Sequence, residues 1–307
     1  MAQLNLRSSL DVSLPCYWEG GITLLSKREF DKVFNLAIEQ KWLSGKLDAL
    51  KSLLFEDCLN SEHMDLVIEL LGRFRYVYPD DLASRINDLV LEIITTPEIN
   101  PDNTIIAAMA ADSSPDSSQY LVQLIKPKLS EYGWGGVEIV NTFAAAYRKS
   151  KSDGFFRKKV VLIDEFVGSG KTVISRCDEI KRQFGSATVD VDIAVRVLFA
   201  SSVGKNFLLD QGVNFNSIEE INKGITDFYS DEDAKRRIRN MLEIESKLSA
   251  EAGDHKMVEC TLGYGKTECL FGIDGHNTPN SVFPIFWWPT KVDGMRRQTI
   301  LTRWVGG

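Results

Sequence analysis

The chain has 307 residues, is 44% apolar and 26% charged, and carries a formal net charge of −7. These values describe a soluble globular protein with room for a sizeable core, and they argue against a basic coat for nucleic acid while leaving a local basic site open. No apolar run of about 18 residues is present and the first residues lack a secretory stretch, so a cytoplasmic protein without a membrane span is expected.

The five cysteines, Cys16, Cys58, Cys177, Cys260 and Cys269, are scattered and form no C-x-x-C pair, so neither a zinc site nor a disulfide framework is expected. The three histidines lie far apart, which argues against a histidine metal cluster.

Residues 1–21 read as an irregular arm. Ser26, with Glu29 three positions later, predicts a capping box, and Phe30, Val33, Phe34 and Ile38 recur at helical spacing. Helical patterns continue through "LDALKSLLF", "MDLVIELLGRF" and "LASRINDLVLEII". "TTPEINPDN" carries two prolines and ends the run, so residues 1–100 are expected to form an N-terminal helical domain and 101–307 a second domain.

The pattern then changes. "TIIAAMAA" (104–111), "VEIV" (137–140) and "KKVVLIDE" (158–165) read as strands of a buried parallel sheet, and "TVDVDIAVRVLFA" (188–200) as a further strand. Helices are expected at 119–132, with Pro127 as a kink or early stop, and at 171–185, ending on Gly185. Strands alternating with helices predict an α/β fold with a parallel sheet. Residues 217–256, rich in Glu, Lys and Arg, read as a helical insertion. From Met257 the chain is aromatic and short-stranded, punctuated by Gly and Pro.

"VVLIDEFVGSGKT" (160–172) carries the strongest chemical signal. Ligands of open α/β sheets bind at strand C-terminal ends, here Asp164. Gly168 and Gly170 let the backbone approach a ligand closely, and the amides of Gly168, Ser169, Gly170, Lys171 and Thr172 can cradle one phosphate at the start of the following helix. A nucleotide-triphosphate loop needs G-x-x-x-x-G-K-[ST], but the frame here is E-F-V-G-S-G-K-T. Glu165 at the first position would repel a β-phosphate. Carboxylates instead suit sugar hydroxyls, which donate hydrogen bonds to them. A phosphate at one end and a diol near the other describe ribose 5-phosphate. A degenerate nucleotide-triphosphatase loop and a purely structural Gly-rich turn are the competing readings.

Apolar residues, two acids, two apolar residues, then a small-residue run ending in Thr: this resembles the phosphoribosyl-pyrophosphate motif of type I phosphoribosyltransferases. The resemblance implies that Asp164 and Glu165 bind the ribose hydroxyls and that Val167 to Thr172 wrap the 5-phosphate. Lys171 and Gly168 depart from the usual pattern, where a small residue and a Thr are common. Together with "NTPNSVFPIFWW" (277–288), the motif is similar to phosphoribosyltransferase-like proteins of bacterial conflict systems, some encoded beside retron reverse transcriptases as antiphage effectors.

Several further expectations follow from that resemblance. Asp112, Ser113, Ser114, Asp116, Ser117 and Ser118 would form the loop that receives pyrophosphate with Mg²⁺, the alternative being a generic turn. "RKSKSDGFFRKK" (148–159) would be a flexible catalytic loop in which Arg148, Lys149 or Lys151 closes over the leaving pyrophosphate; a solvated basic loop and an RNA or DNA docking site are the other uses of these charges. From the residue types alone, Asn277 and Asn280 are expected to hydrogen-bond a base or acceptor, with Phe286, Trp287 or Trp288 stacking on it; the competing reading is a packed aromatic cap with turn-forming Asn-Thr-Pro-Asn. The implied partners are phosphoribosyl pyrophosphate and, through the helical regions, a reverse transcriptase with its RNA and DNA. Transfer of ribose 5-phosphate to an acceptor and catalytically silent ligand sensing both remain open.

Overall fold

The computed structural model describes residues 27–112 and 116–305. The Ser26–Glu29 capping box, Ser113 and Ser114 lie outside the described residues or side chains.

Four N-terminal helices come first: α1 (Lys27–Glu39), α2 (Leu47–Ser52), α3 (Ser61–Gly72) and α4 (Pro79–Thr95), with a short strand β1 (Arg75–Val77) before the last. Asn60 caps α3 by accepting from His63 N–H, and Pro79 opens α4 where a missing N–H costs nothing.

The α/β part follows as β2 (Thr104–Ala108), α5 (Ser117–Glu131), β3 (Glu138–Val140), α6 (Phe143–Ser152), β4 (Lys159–Val167), α7 (Lys171–Gly185), β5 (Asp192–Ser201), α8 (Ser202–Asp210) and β6 (Asn214–Ile221). The remainder contains α9 (Asp231–Glu245), the hairpin β7 (Glu251–Ala252) and β8 (His255–Lys256), α10 (Met257–Cys260) and β9 (Phe271–Ile273).

Five strands form a sheet in the order β3-β2-β4-β5-β6, parallel throughout. Alternate residues of β4 enter opposite cores: Val161 and Ile163 join one, Val160 and Leu162 the other. Burial on both faces explains why this strand reads as an unbroken apolar run. The strand order reverses between β2 and β4, so the two chains leaving them splay apart and open a crevice at their C-terminal ends. In register, Ala108, the last residue of β2, faces Ile163, so Asp164 emerges immediately beyond.

Three expectations need correction. Residues 217–221 belong to strand β6, not to a helical insertion; the edge of β5 recruits them into the sheet, a long-range pairing with no local signature. Helix α9 accounts for the helical part of the region. Pro127 does not stop α5, which runs through it to Glu131, its later turns anchored by buried Ile125 and Leu129. The division near residue 100 is not a break in packing. Residues of α3 and α4, one face of the sheet, and Phe271, Phe283, Phe286, Trp287 and Trp288 share one continuous core. Strand β1 also pairs in parallel with β9, Arg75 opposite Phe271.

Candidate functional site

The crevice at the switch between β2 and β4 holds a cavity of about 230 Å³. Its walls include Met109 beyond β2, Asp164 and Phe166 of β4, the loop from Val167 to Gly170, Thr172 and Val173 of α7, and Tyr264, Asn280, Ser281 and Arg303 from the C-terminal segment.

The glycine loop is held from beneath and above. Gly170, at φ +78°, turns the chain into α7, a conformation that L side chains resist. Beneath it, Ser201 donates its hydroxyl to Gly168 O at 2.6 Å and accepts from Gly204 N–H at 2.9 Å. Above it, Ser281 packs so closely that a Cβ on Gly168 would sit 2.0 Å from its hydroxyl. A Cβ on Gly265 would sit 2.9 Å from that of Ser169. The covering segment carries positive φ at Leu262, Gly263, Gly265, Lys266 and Glu268, a density of strain found where surroundings over-determine the backbone. Two buried carboxylates pin it. Glu245 accepts from Thr261 Oγ1–H and Leu262 N–H, and Glu268 accepts from Ile225 and Thr226. Burial raises the Glu245 carboxyl to about 7 despite its hydrogen bonds from Thr261 and Leu262.

Gly168→Ala is therefore expected to weaken ligand binding by at least tenfold and to lower stability by about 1–3 kcal/mol through overpacking. Adding Ser281→Gly removes the colliding atoms, so melting curves and titrations of the double variant should recover much of both losses. Independent, additive losses would show that the two residues do not collide.

The acidic pair is coupled. Asp164 accepts from the Glu165 N–H at 2.9 Å, and its carboxyl is held well above the ordinary 3.8, by burial first and then by the neighbouring Glu165 charge. A hydrogen bond to the Glu165 carboxyl and the nearby Asp116 charge push the same way. Glu165 Oε2 is buried and makes no hydrogen bond among the described residues. Such an atom costs free energy until a donor reaches it.

The structure places the other sequence candidates as follows. Val167, Gly168, Ser169, Gly170 and Thr172 line the cavity together with Asp164. Lys171 is exposed on the first turn of α7, and its Nζ lies 5.5 Å from the centre of the Tyr264 ring. Asp112, Asp116 and Ser117 are exposed, with Asp116 capping α5 by accepting from Ser118 N–H. Ser118 is buried and committed to the fold: its hydroxyl donates to Asp116 and accepts from Ala110 N–H. Asn277 is occupied outside the cavity, accepting from Trp304 N–H at 2.7 Å, and Asn280 lines the cavity instead. Trp287 cannot stack on a ligand; it is 1% exposed and donates to Val282 O inside the core. The reading of 148–159 as a flexible loop also needs correction. Arg148, Lys149 and Lys151 lie on α6, and Lys149 reaches the first residue of β3, Glu138, at 2.9 Å, toward the sheet end away from the crevice.

Sequence reasoning missed Tyr264, Ser281 and Arg303. Tyr264 lies between Gly263 and Gly265, a pair able to signal tight backbone, and Ser281 lies within the 277–288 motif; Arg303 carries no local signal.

No group of three or more metal-ligating side chains exists among the described residues. Magnesium nevertheless fits the donor set in its usual manner, held by one or two carboxylates plus ligand phosphates and water rather than by a protein cage. The Asp164 carboxyl, which lines the cavity, supplies that acidic side, with the Glu165 carboxyl coupled to it.

A parallel α/β sheet with a glycine-rich loop and an acidic pair at its switch point defines the fold class of the type I phosphoribosyltransferases. The family description PRTase-CE, in which PRTase abbreviates phosphoribosyltransferase, matches residues 40–304, and the chain belongs to that family. No curated protein matches the sequence. Among solved structures, similar chains include a xanthine-guanine-hypoxanthine phosphoribosyltransferase of Helicobacter pylori, at 10% identity over 48% of this chain and 84% of that one, with a TM-score of 0.29. An orotate phosphoribosyltransferase of Aeropyrum pernix matches at 16% identity over 46% and 72%, TM-score 0.29. A hypoxanthine-guanine phosphoribosyltransferase of Schistosoma mansoni, in complex with IMP, matches at 12% over 48% and 65%, TM-score 0.31.

Proposed function

We propose that the cavity binds a ribose 5-phosphate ligand, with phosphoribosyl pyrophosphate the foremost candidate. The observation that carries the reading is the convergence of Gly168, Ser169, Gly170 and Thr172 with Asp164 on one crevice. The amides and the α7 N-terminus take the 5-phosphate. Asp164, which lines the cavity, and its coupled neighbour Glu165 take the diol. Magnesium, where bound, supplies positive charge that neutralises phosphate oxygens and favours ionised carboxylates. Phe166, Tyr264 and Asn280 wall the cavity and fix the ring between its two polar ends.

In the enzymatic form of this reading, ribose 5-phosphate passes to an acceptor, and the chain's contribution is positioning and charge stabilisation. A second reading, ligand binding without turnover, is favoured by α6: the basic residues expected to close over a leaving group sit on a helix, and Lys149 is paired with Glu138. Release of pyrophosphate that depends on an added acceptor separates the two. The sequence resemblance supports a role in antiphage defence beside a reverse transcriptase with its RNA and DNA, testable by co-purification and by phage challenge of cells carrying inactivated variants.

The Lys171 ammonium lies against the Tyr264 ring, in contrast to the phosphate-reaching lysine of a nucleotide-triphosphatase. Lys171→Ala is expected to weaken phosphoribosyl pyrophosphate by about 1–2 kcal/mol, the scale of a partly exposed charged contact. Calorimetric titration with Mg²⁺ and either phosphoribosyl pyrophosphate or ATP tests this. Tighter binding of ATP, abolished by Lys171→Ala alone, would replace the ribose reading with a triphosphatase.

A further inference from the structure

Arg303 is the cationic side chain lining the cavity, and the sequence gives no hint of it. It reaches the cavity from the C-terminal segment and is mostly buried. Its guanidinium is fixed on three sides. Nε donates to His255 Nε2 at 3.0 Å, Nη1 donates to Thr278 O, and the plane lies 5.4 Å from the centre of the Trp287 ring. No carboxylate pairs with it among the described residues; the buried Cys260 thiol is its electrostatic neighbour. Cations buried more deeply than Arg303 meet carboxylates: Arg196 meets Glu92 at 3.0 Å, Arg297 meets Asp57 at 2.7 Å, and Lys159 meets Asp192.

A half-buried charge without a counter-ion is costly in proportion to its desolvation, and this guanidinium keeps a side open to the cavity where an anion can approach. His255 does not relieve it. Burial and the adjoining Arg303 cation both lower the imidazole, which stays neutral and accepts, so it orients the guanidinium without cancelling its charge. The remaining amino group, Nη2, makes no hydrogen bond to the described residues and can still donate. A fixed, flat fork of this kind matches phosphate and carboxylate oxygens.

We propose that Arg303 is a specificity-determining residue that binds a second anionic group in the cavity, distinct from the phosphate held by the Gly168–Thr172 amides, with His255 as the positioning residue that aims it. This deepens the ribose 5-phosphate reading and rests on it for the first anion only. The second anion has two sources: the pyrophosphate of phosphoribosyl pyrophosphate, or an acidic acceptor molecule entering beside the sugar. Both present paired anionic oxygens that a guanidinium fork can bind.

Calorimetric titrations of the wild type, Arg303→Met, Arg303→Lys and His255→Gln test the proposal. The probes are ribose 5-phosphate, phosphoribosyl pyrophosphate, and inorganic pyrophosphate or oxalate added to protein saturated with ribose 5-phosphate. Arg303→Met is expected to leave ribose 5-phosphate within twofold of wild type while weakening the second anion at least tenfold. Arg303→Lys should restore part of that loss, because it keeps the charge but not the fork. His255→Gln should give an intermediate loss. A tethered source appears as weakened phosphoribosyl pyrophosphate; a separate acidic acceptor appears as weakened oxalate with phosphoribosyl pyrophosphate unchanged. Equal weakening of every probe, or of none, with native melting temperatures overturns the proposal. Should wild type bind neither sugar phosphate, the ribose reading fails, and inorganic pyrophosphate and oxalate on the free protein still decide the matter: no difference between wild type and Arg303→Met overturns the anion site as well.

Discussion

Asp164→Asn combined with Glu165→Gln is expected to abolish binding of a ribose 5-phosphate ligand while leaving a folded protein that is more stable at neutral pH. Each lost charge-assisted hydrogen bond to a hydroxyl should cost about 1.5–3 kcal/mol of binding. The gain in stability follows from the coupled carboxyls. The Asp164 pKa in the folded chain lies above its ordinary 3.8, chiefly through burial and then through Glu165. Below 3.8 both folded and unfolded chains hold the proton. As pH rises further the unfolded chain releases it first, so stability declines until the folded pKa is passed. Asparagine carries no such proton. Melting temperature plotted against pH should therefore be flatter for Asp164→Asn than for wild type, with the variant ahead at pH 7. Wild-type ligand affinity in the double variant would remove the diol assignment, and an unchanged pH slope would remove the buried-proton account.

Gly204→Ala should have the second large effect, although Gly204 lies on α8 and touches no cavity space. A Cβ there would fall 2.0 Å from Gly168 O and 3.0 Å from its carbonyl carbon, both backbone atoms that no rotamer change can move. The helix or the glycine loop must shift, and the Ser201 bridge between them breaks. A loss of about 1–3 kcal/mol in stability and at least tenfold in ligand affinity is expected. Gly185→Ala is the control: it lies at the end of α7 with no atom within 4 Å of the added carbon. It should leave both quantities unchanged or raise stability slightly. Binding at wild-type strength in a stable Gly204→Ala protein would show that the loop tolerates displacement.

The parallel sheet and the loop 160–172 were legible because both are written locally. An apolar run buried on two faces has a compositional signature, and Gly168, Gly170 and Asp164 follow directly on the strand. Helix α7 is readable end to end for the same reason. Strands β6, β1 and β9 were not legible, because "NSIEEI" and "RYV" gain strand character only from distant partners. The assignment of Trp287 to a ligand failed for a related reason: an aromatic cluster looks the same in sequence whether it faces a cavity or a core. Lys149 was misplaced because a basic run does not reveal which end of the sheet it faces. Arg303 and Ser281 come from the far end of the chain, and only tertiary packing brings them over the loop.

The parallel pairing of β1 with β9 joins residues 75–77 to 271–273. Such closure joins segments far apart in sequence, so the pairing is expected to be among the slowest steps of folding. Tyr264, Ser281 and Arg303, which line the cavity, flank that closure. A chain still emerging from the ribosome thus carries the glycine loop long before it carries the roof. Binding competence waits until residues as far as Arg303 are made, and a product cut short before Ser281 has a phosphate cradle without the Ser281 contact above it.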